Sequence, residues 1–288
     1  MYSASVDYYR AGSVAEAVSL LQEHEGARLL AGGHSLIPLM KLRLAEPSAL
    51  IDIGRVSGMK GIENAGGVLK IGALTPHADI ASSDAVQQAS PMLAEAAAMI
   101  GDPQVRNRGT IGGNVAHADP ASDLPTVLTA LGATFRVTGP NGERTIPADG
   151  FFQGLMSTAL AANEVLTSIE VPAETAGQGA AYSKFSHPAS RYAVIGAAAI
   201  ITISGGKCTA ASVVLGGLVS SPAKAALVEA ALIGIALDED TVAAAAANTS
   251  DDLGNNVNGD VFASAVYRRS VASVYVGRAI TAAAERAH

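Results

Sequence analysis

Two of the adjacent-glycine pairs in this chain follow apolar residues and lead directly into a polar side chain. They are Gly32-Gly33 in LLAGGHSLIPLMKLRL (residues 29–44) and Gly112-Gly113 in GTIGGNVAHADPASDLP (residues 109–125). Glycine loses more conformational freedom on folding than any other residue. A pair of them in a core-like run therefore marks a turn at positive φ, or a backbone that something approaches closely. Polar side chains follow each pair: His34 and Ser35 in the first, Asn114 in the second. No Lys or Arg stands between the glycines, so an anion bound here would be held by neutral backbone N–H groups. The chain contains neither G-x-G-x-x-G nor G-x-x-x-x-G-K-[ST], so neither of those phosphate-binding patterns accounts for the loops. Spacing alone leaves two readings open: a paired anion cradle, or two tight turns that bind nothing.

The rest of the composition narrows the class. With 288 residues the chain has room for two domains with real cores, and a hydrophobic content of 49% excludes wholesale disorder. A net charge of −7, with no basic cluster longer than Arg268-Arg269, argues against a nucleic-acid surface. Cys208 is the single cysteine, which excludes internal disulfides and any four-cysteine metal or iron–sulfur site within the chain. The longest uncharged stretches, 192–206 and 208–223, fall short of the roughly 20 apolar residues of a membrane span. The opening MYSASVDYYR has no basic segment leading into an apolar one, so a cytoplasmic protein is expected.

Periodicity predicts a helix over 13–25, with Ser13 as N-cap and Glu16 as its capping-box partner. Strands are expected at 28–31, 50–53, 68–73 and 166–171, a buried helix at 90–100, and a hairpin turning at Pro140-Asn141-Gly142. PAETAGQGA (172–180) reads as a Gly/Ala-rich connector. Beyond it come a hairpin of two β-rich runs, 193–204 and 208–215, and helices at 222–232, 240–248 and 261–284. The pattern predicts an α+β chain of two domains with a boundary near 175–180.

AGGHSLIPLMKLRL and TIGGNVAHADPASDLP resemble the two FAD-binding signatures of the flavin-carrying medium subunits of molybdenum hydroxylases. The likeness runs from DYYR to the terminal helix. That family includes aerobic carbon monoxide dehydrogenase, the branch whose first loop also reads AGGHS, and, as a fused domain, xanthine dehydrogenase. The resemblance implies a two-part FAD-binding domain of the vanillyl-alcohol-oxidase (PCMH) type over residues 1–176. A smaller α+β domain, with an antiparallel sheet and helices, would follow over 177–288. Ala31, Gly32, Gly33, His34 and Ser35 would wrap the FAD pyrophosphate, and Thr110, Ile111, Gly112, Gly113 and Asn114 would close on it from the other side. By the same likeness Asp123 hydrogen-bonds the ribose part of the cofactor, Ile100 and Leu166 belong to its surroundings, Lys184 is a basic residue near the flavin, and Tyr192 packs against the isoalloxazine ring.

Each assignment has a plainer reading in the residues themselves: Asp123 as a helix cap, Lys184 as a surface lysine, Tyr192 as core. His34, His77 and His117, the last two in repeated HAD triplets, lack the ligand spacing of a metal site, and none is expected. His34 could carry a covalent flavin, as distant relatives of the fold do, but this branch holds FAD noncovalently. Arg191 stands where relatives carry an acidic residue before the aromatic, and a cation there would favour reduced, anionic flavin.

No catalytic constellation is visible, which leaves electron transfer as the expected role. The resemblance implies [2Fe-2S] clusters on a small partner subunit and a molybdenum cofactor on a large one, assembled as a dimer of heterotrimers. Electrons would pass through FAD to an external acceptor such as a quinone, and the protein would sit in the cytoplasm or at the inner face of the membrane. Oxidation of CO is the expected reaction of the complex; an aldehyde, purine or N-heterocycle hydroxylase, or a stand-alone flavin oxidase, are the alternatives.

Overall fold

The computed structural model describes residues 2–287. A small parallel sheet comes first, with Asp7–Arg10, Ala49–Asp52 and Arg28–Leu30 side by side in that order. The helix Val14–Glu23 covers it, and Ser13 Oγ accepts the Glu16 N–H as expected. The reciprocal half of the capping box is displaced by one residue. Glu16 takes the N–H of Gly12 at 2.7 Å, not that of Ser13.

A five-stranded antiparallel sheet follows, in the order Ile62–Ala65, Val68–Gly72, Val165–Pro172, Thr134–Gly139 and Gly142–Pro147. Its first strand was not expected; it pairs with the second across Gly66-Gly67, both at positive φ. Between the two halves of this sheet the chain runs through a series of short helices, among them Pro91–Met99, Pro103–Arg108, Ile111–His117 and Asp123–Ala130.

The last sheet aligns Gln178–Ser186, Ala193–Ser204, Lys207–Gly216 and Ala223–Lys224, all antiparallel. It is buried on both faces. Ala180, Tyr182, Ala198 and Val214 pack into the core of the preceding domain, while Ala181, Ala197, Ala199, Ile201, Val213 and Leu215 face a second core built with the C-terminal helices. Double burial explains why AVIGAAAIITIS runs apolar without alternation. It also corrects the reading of 172–180 as a connector, because its last three residues begin the nine-residue strand Gln178–Ser186. Small residues stand there to admit a neighbour. A Cβ on Gly179 would lie 2.2 Å from the Ala283 carbonyl oxygen, so the 22-residue helix Ala265–Arg286 docks on bare backbone.

No helix among the described residues is long and apolar enough to cross a membrane. Replacing Gly179 by Ala should therefore lift the terminal helix off the sheet. We expect a loss of about 1–3 kcal/mol in urea unfolding, the usual cost of overpacking a close-packed contact. An unchanged unfolding midpoint would show that the helix adjusts freely.

Candidate cofactor site

Where the small parallel sheet meets the five-stranded one, a cavity of about 840 Å³ opens, large for a small-molecule site. Thirteen of the fifteen residues singled out in the sequence line it: Ala31, Gly32, Gly33, His34, Ser35, Ile100, Thr110, Gly112, Gly113, Asn114, Asp123, Leu166 and Tyr192. Ile111 and Lys184 are not among the lining residues. Ile111 is fully buried in the core, and Lys184 stands behind Asp123.

The four glycines serve four different purposes. A Cβ on Gly32 would fall 2.0 Å from the Arg108 carbonyl oxygen, so Gly32 is bare because the two signature segments cross backbone to backbone. Gly33 adopts φ +75°, the left-handed turn into the helix Leu36–Lys41. Gly112 presses on Ala73, where a Cβ would meet another Cβ at 2.4 Å. Gly113 is the least crowded of the four, though a Cβ there would press on the capping Thr110 Oγ1 at 2.9 Å before meeting only Ala31, at 3.9 Å.

The second signature is not a loop. Residues Ile111–His117 form a helix capped by Thr110, whose Oγ1 accepts the Gly113 N–H. The amides of its first turn are all engaged: Ile111 donates to Thr75 O, Gly112 to Ala73 O and Asn114 to Thr110 O. The first signature keeps its donors. The N–H groups of Gly33, His34 and Ser35 have no acceptor among the described residues, which leaves three neutral donors at the cavity. On the other side, Asn114 donates from Nδ2 to Ser122 Oγ at 2.6 Å, and its buried Oδ1 has no partner.

Asp123 opens the helix Asp123–Ala130 and is buried. Its Oδ2 pairs with Lys184 Nζ at 2.8 Å, and its Oδ1 accepts from the Tyr182 hydroxyl at 2.7 Å. Burial pushes the Asp123 carboxyl up, and Lys184 and Tyr182 pull it back down. The Tyr182 hydroxyl is held well above its ordinary value by burial and by the Asp123 charge, so it stays a donor. Lys184 is 2% exposed and is thus no surface lysine. Tyr182, two residues beyond the stretch that reads as connector, had no signal in the sequence. A Cβ on Gly196 would strike its hydroxyl at 2.4 Å, so Gly196 on the neighbouring strand makes the room for it.

Tyr192 stands at the cavity mouth and is 45% exposed, which rules out a core role. Its neighbour Arg191 has φ +60° and also lines the cavity, as does Met156 at φ +51°. Non-glycine residues held in this conformation gather at binding sites, where packing imposes them. Arg106 fixes another wall, donating from Nη1 to the carbonyls of Ile100 at 2.9 Å and Gly101 at 3.2 Å.

Residues 4–174 match the family described as FAD binding domain in molybdopterin dehydrogenase, and residues 180–283 match CO dehydrogenase flavoprotein C-terminal domain. The chain is 43% identical over 280 residues to the carbon monoxide dehydrogenase medium chain of Hydrogenophaga pseudoflava, covering 96% of each. It is 38% identical over 279 residues to the glyceraldehyde dehydrogenase medium chain of Sulfolobus acidocaldarius, covering 97% and 98% respectively. A solved structure of the Hydrogenophaga pseudoflava carbon monoxide dehydrogenase, lacking the Mo-pyranopterin moiety of the molybdenum cofactor, superposes with a TM-score of 0.96 at 44% identity over the full length of both chains.

The Asp123 cluster yields a graded expectation. Lys184→Met, which strands a buried carboxylate, should cost about 3–5 kcal/mol in denaturant unfolding. Tyr182→Phe, which removes one neutral donor, should cost about 1–3 kcal/mol. The reverse order would mean that Asp123 is held mainly by the tyrosine.

Proposed function

The chain belongs to the family of FAD-binding subunits of molybdopterin dehydrogenases, and on that premise we propose that it is the flavin-carrying medium subunit of a molybdenum hydroxylase whose complex oxidises CO. The observation that carries the cofactor assignment is the pairing, across one cavity, of unengaged amides at Gly33–Ser35 with the open face of Gly113 and the unpartnered Asn114 Oδ1. Neutral donors with close backbone access suit a pyrophosphate, and an unused acceptor suits a hydroxyl or amino group of the same ligand.

In this reading Ala31–Ser35 wrap the pyrophosphate and Thr110–Asn114 face it from the other side, with Ile111 buttressing the helix from within the core. Asp123, oriented by Lys184 and Tyr182, accepts hydrogen bonds from the sugar-derived hydroxyls. Ile100 and Leu166 give apolar contact, and Tyr192 covers one face of the isoalloxazine ring while leaving an approach from solvent. Bound there noncovalently, FAD supplies a redox centre. Residues 1–176 form the FAD-binding domain and 177–288 the C-terminal domain.

A chain with a single, buried cysteine needs its iron–sulfur clusters on another polypeptide. The partners proposed are a small [2Fe-2S] subunit, a large molybdenum subunit that oxidises the substrate, and an external acceptor such as a quinone. The assembly is a cytoplasmic dimer of heterotrimers with access to the inner face of the membrane. Substrate choice belongs to the large subunit, and the medium chain of a glyceraldehyde dehydrogenase is nearly as similar as that of a carbon monoxide dehydrogenase. An aldehyde hydroxylase is accordingly the second reading.

The isolated chain should be yellow and release its flavin on acid precipitation; flavin left in the pellet would establish a covalent link. Alone it should show no bleaching with CO or glyceraldehyde. In the assembled complex CO should bleach the flavin, whereas bleaching by glyceraldehyde instead would select the second reading. Gly113→Val should bind no FAD, because its branched side chain fills the space in front of the backbone and crowds the Thr110 cap; full flavin occupancy in that variant would remove this segment from the site.

A further inference from the structure

His77 opens the helix His77–Ser82 and lines the same cavity, yet neither the sequence signatures nor the matched pattern of residues assigns it a role. Its backbone N–H donates to Gly109 O at 3.0 Å, and its ring lies against Gly109, where a Cβ would meet the imidazole Cδ2 at 3.0 Å. Gly109 is also the residue over which Gly32 crosses, at 3.1 Å from the Gly32 Cβ position to Gly109 Cα. The imidazole thus stands at the crossing of the two signature segments, beside the unengaged amides of Gly33–Ser35.

The ring is oddly placed for a structural residue. It is 3% exposed, and Nδ1 is buried without any partner. Burial, with a further contribution from His34, lowers its pKa to about 4, so the ring is neutral at physiological pH. A neutral imidazole carries one proton, and a buried N–H without an acceptor costs more than a buried lone pair without a donor. The proton therefore sits on Nε2, which also has no partner in the protein and, unlike Nδ1, is not sealed from the cavity. A neutral donor without a partner is left beside the cavity.

We propose that the Nε2–H of His77 is a fourth neutral donor to the pyrophosphate of FAD, a binding role carried by a side chain in addition to the loop amides. This rests on the FAD reading above. Acidic and basic side chains do line the cavity, Asp123, Glu164, Arg28 and Arg191 among them, but none belongs to the crossing that His77 occupies. A neutral donor there binds a phosphate oxygen without leaving an uncompensated buried cation in the empty site.

The test uses the full chain stripped of flavin, with FAD, ADP and adenosine as probes. His77→Leu should weaken FAD and ADP about tenfold, the effect of losing one hydrogen bond to a charged oxygen. Adenosine, which lacks phosphate, should bind both proteins equally. His77→Gln, whose amide reaches the Nε2 position, should recover most of the lost affinity. The flavin-free His77→Leu protein should melt no lower than the parent, because the substitution removes an unsatisfied polar atom from the interior. A structural histidine would give the opposite: a lower melting temperature with unchanged nucleotide affinity. Equal FAD affinity in the parent and His77→Leu, or an equal loss for adenosine, would overturn the proposal. Failure of the parent chain itself to bind FAD would instead overturn the cofactor reading.

Discussion

Asp123 carries a carboxylate into the junction of two hydrophobic cores, and it survives there because the second half of the chain supplies both partners. Lys184 and Tyr182 stand two residues apart on one strand, on the same face of the sheet, and close on the two oxygens at 2.8 and 2.7 Å. Leaving either oxygen bare in that surrounding would cost more than most single contacts contribute, so the position of the strand against the helix Asp123–Ala130 is tightly constrained. A buried pair of this kind adds little net stability. Its effect is to make one docking of the two domains far better than its neighbours.

The same junction shapes the cavity. Ala193 N–H donates to Ala121 O at 3.0 Å and Gly217 N–H to Pro120 O at 2.9 Å, so the turn before the Asp123 helix is pinned to the second sheet by backbone as well as side chain. Tyr192 and Arg191, at the edge of that sheet, are brought to the cavity mouth by those bonds. The C-terminal domain is therefore part of the cavity: it orients Asp123 from behind and forms a wall in front.

At the opposite wall the binding surface is made of unengaged backbone. The helix Ile111–His117 spends its first-turn amides inside the protein, and what it offers the cavity is an empty volume at Gly113 and the side chain of Asn114. The amides of Gly33, His34 and Ser35 are the unengaged ones. Two segments that look alike in sequence are thus unlike in function, one a donor surface and the other a clearance. Each holds one glycine pressed against foreign backbone, Gly32 on Arg108 and Gly112 on Ala73, beside a second glycine needed for another reason.

By itself the sequence determined the α+β class, the two-domain order, most strands and the long helices, and it marked the paired glycines as tight turns or points of close backbone approach. Those features are written in periodicity and residue type over ten or so neighbouring positions. The tertiary structure decided the rest. It made Ile111–His117 a helix, turned the apparent connector at 178–180 into the start of a doubly buried strand, and moved Ile111 and Lys184 out of the cavity wall into supporting positions. Gly32 is glycine because of Arg108, Gly196 because of Tyr182, and Asp123 is a held carboxylate because of residues 59 and 61 positions away. Contacts over such separations leave no local pattern, because the residues on either side of each partner obey the periodicity of their own strand or helix and carry no trace of the other.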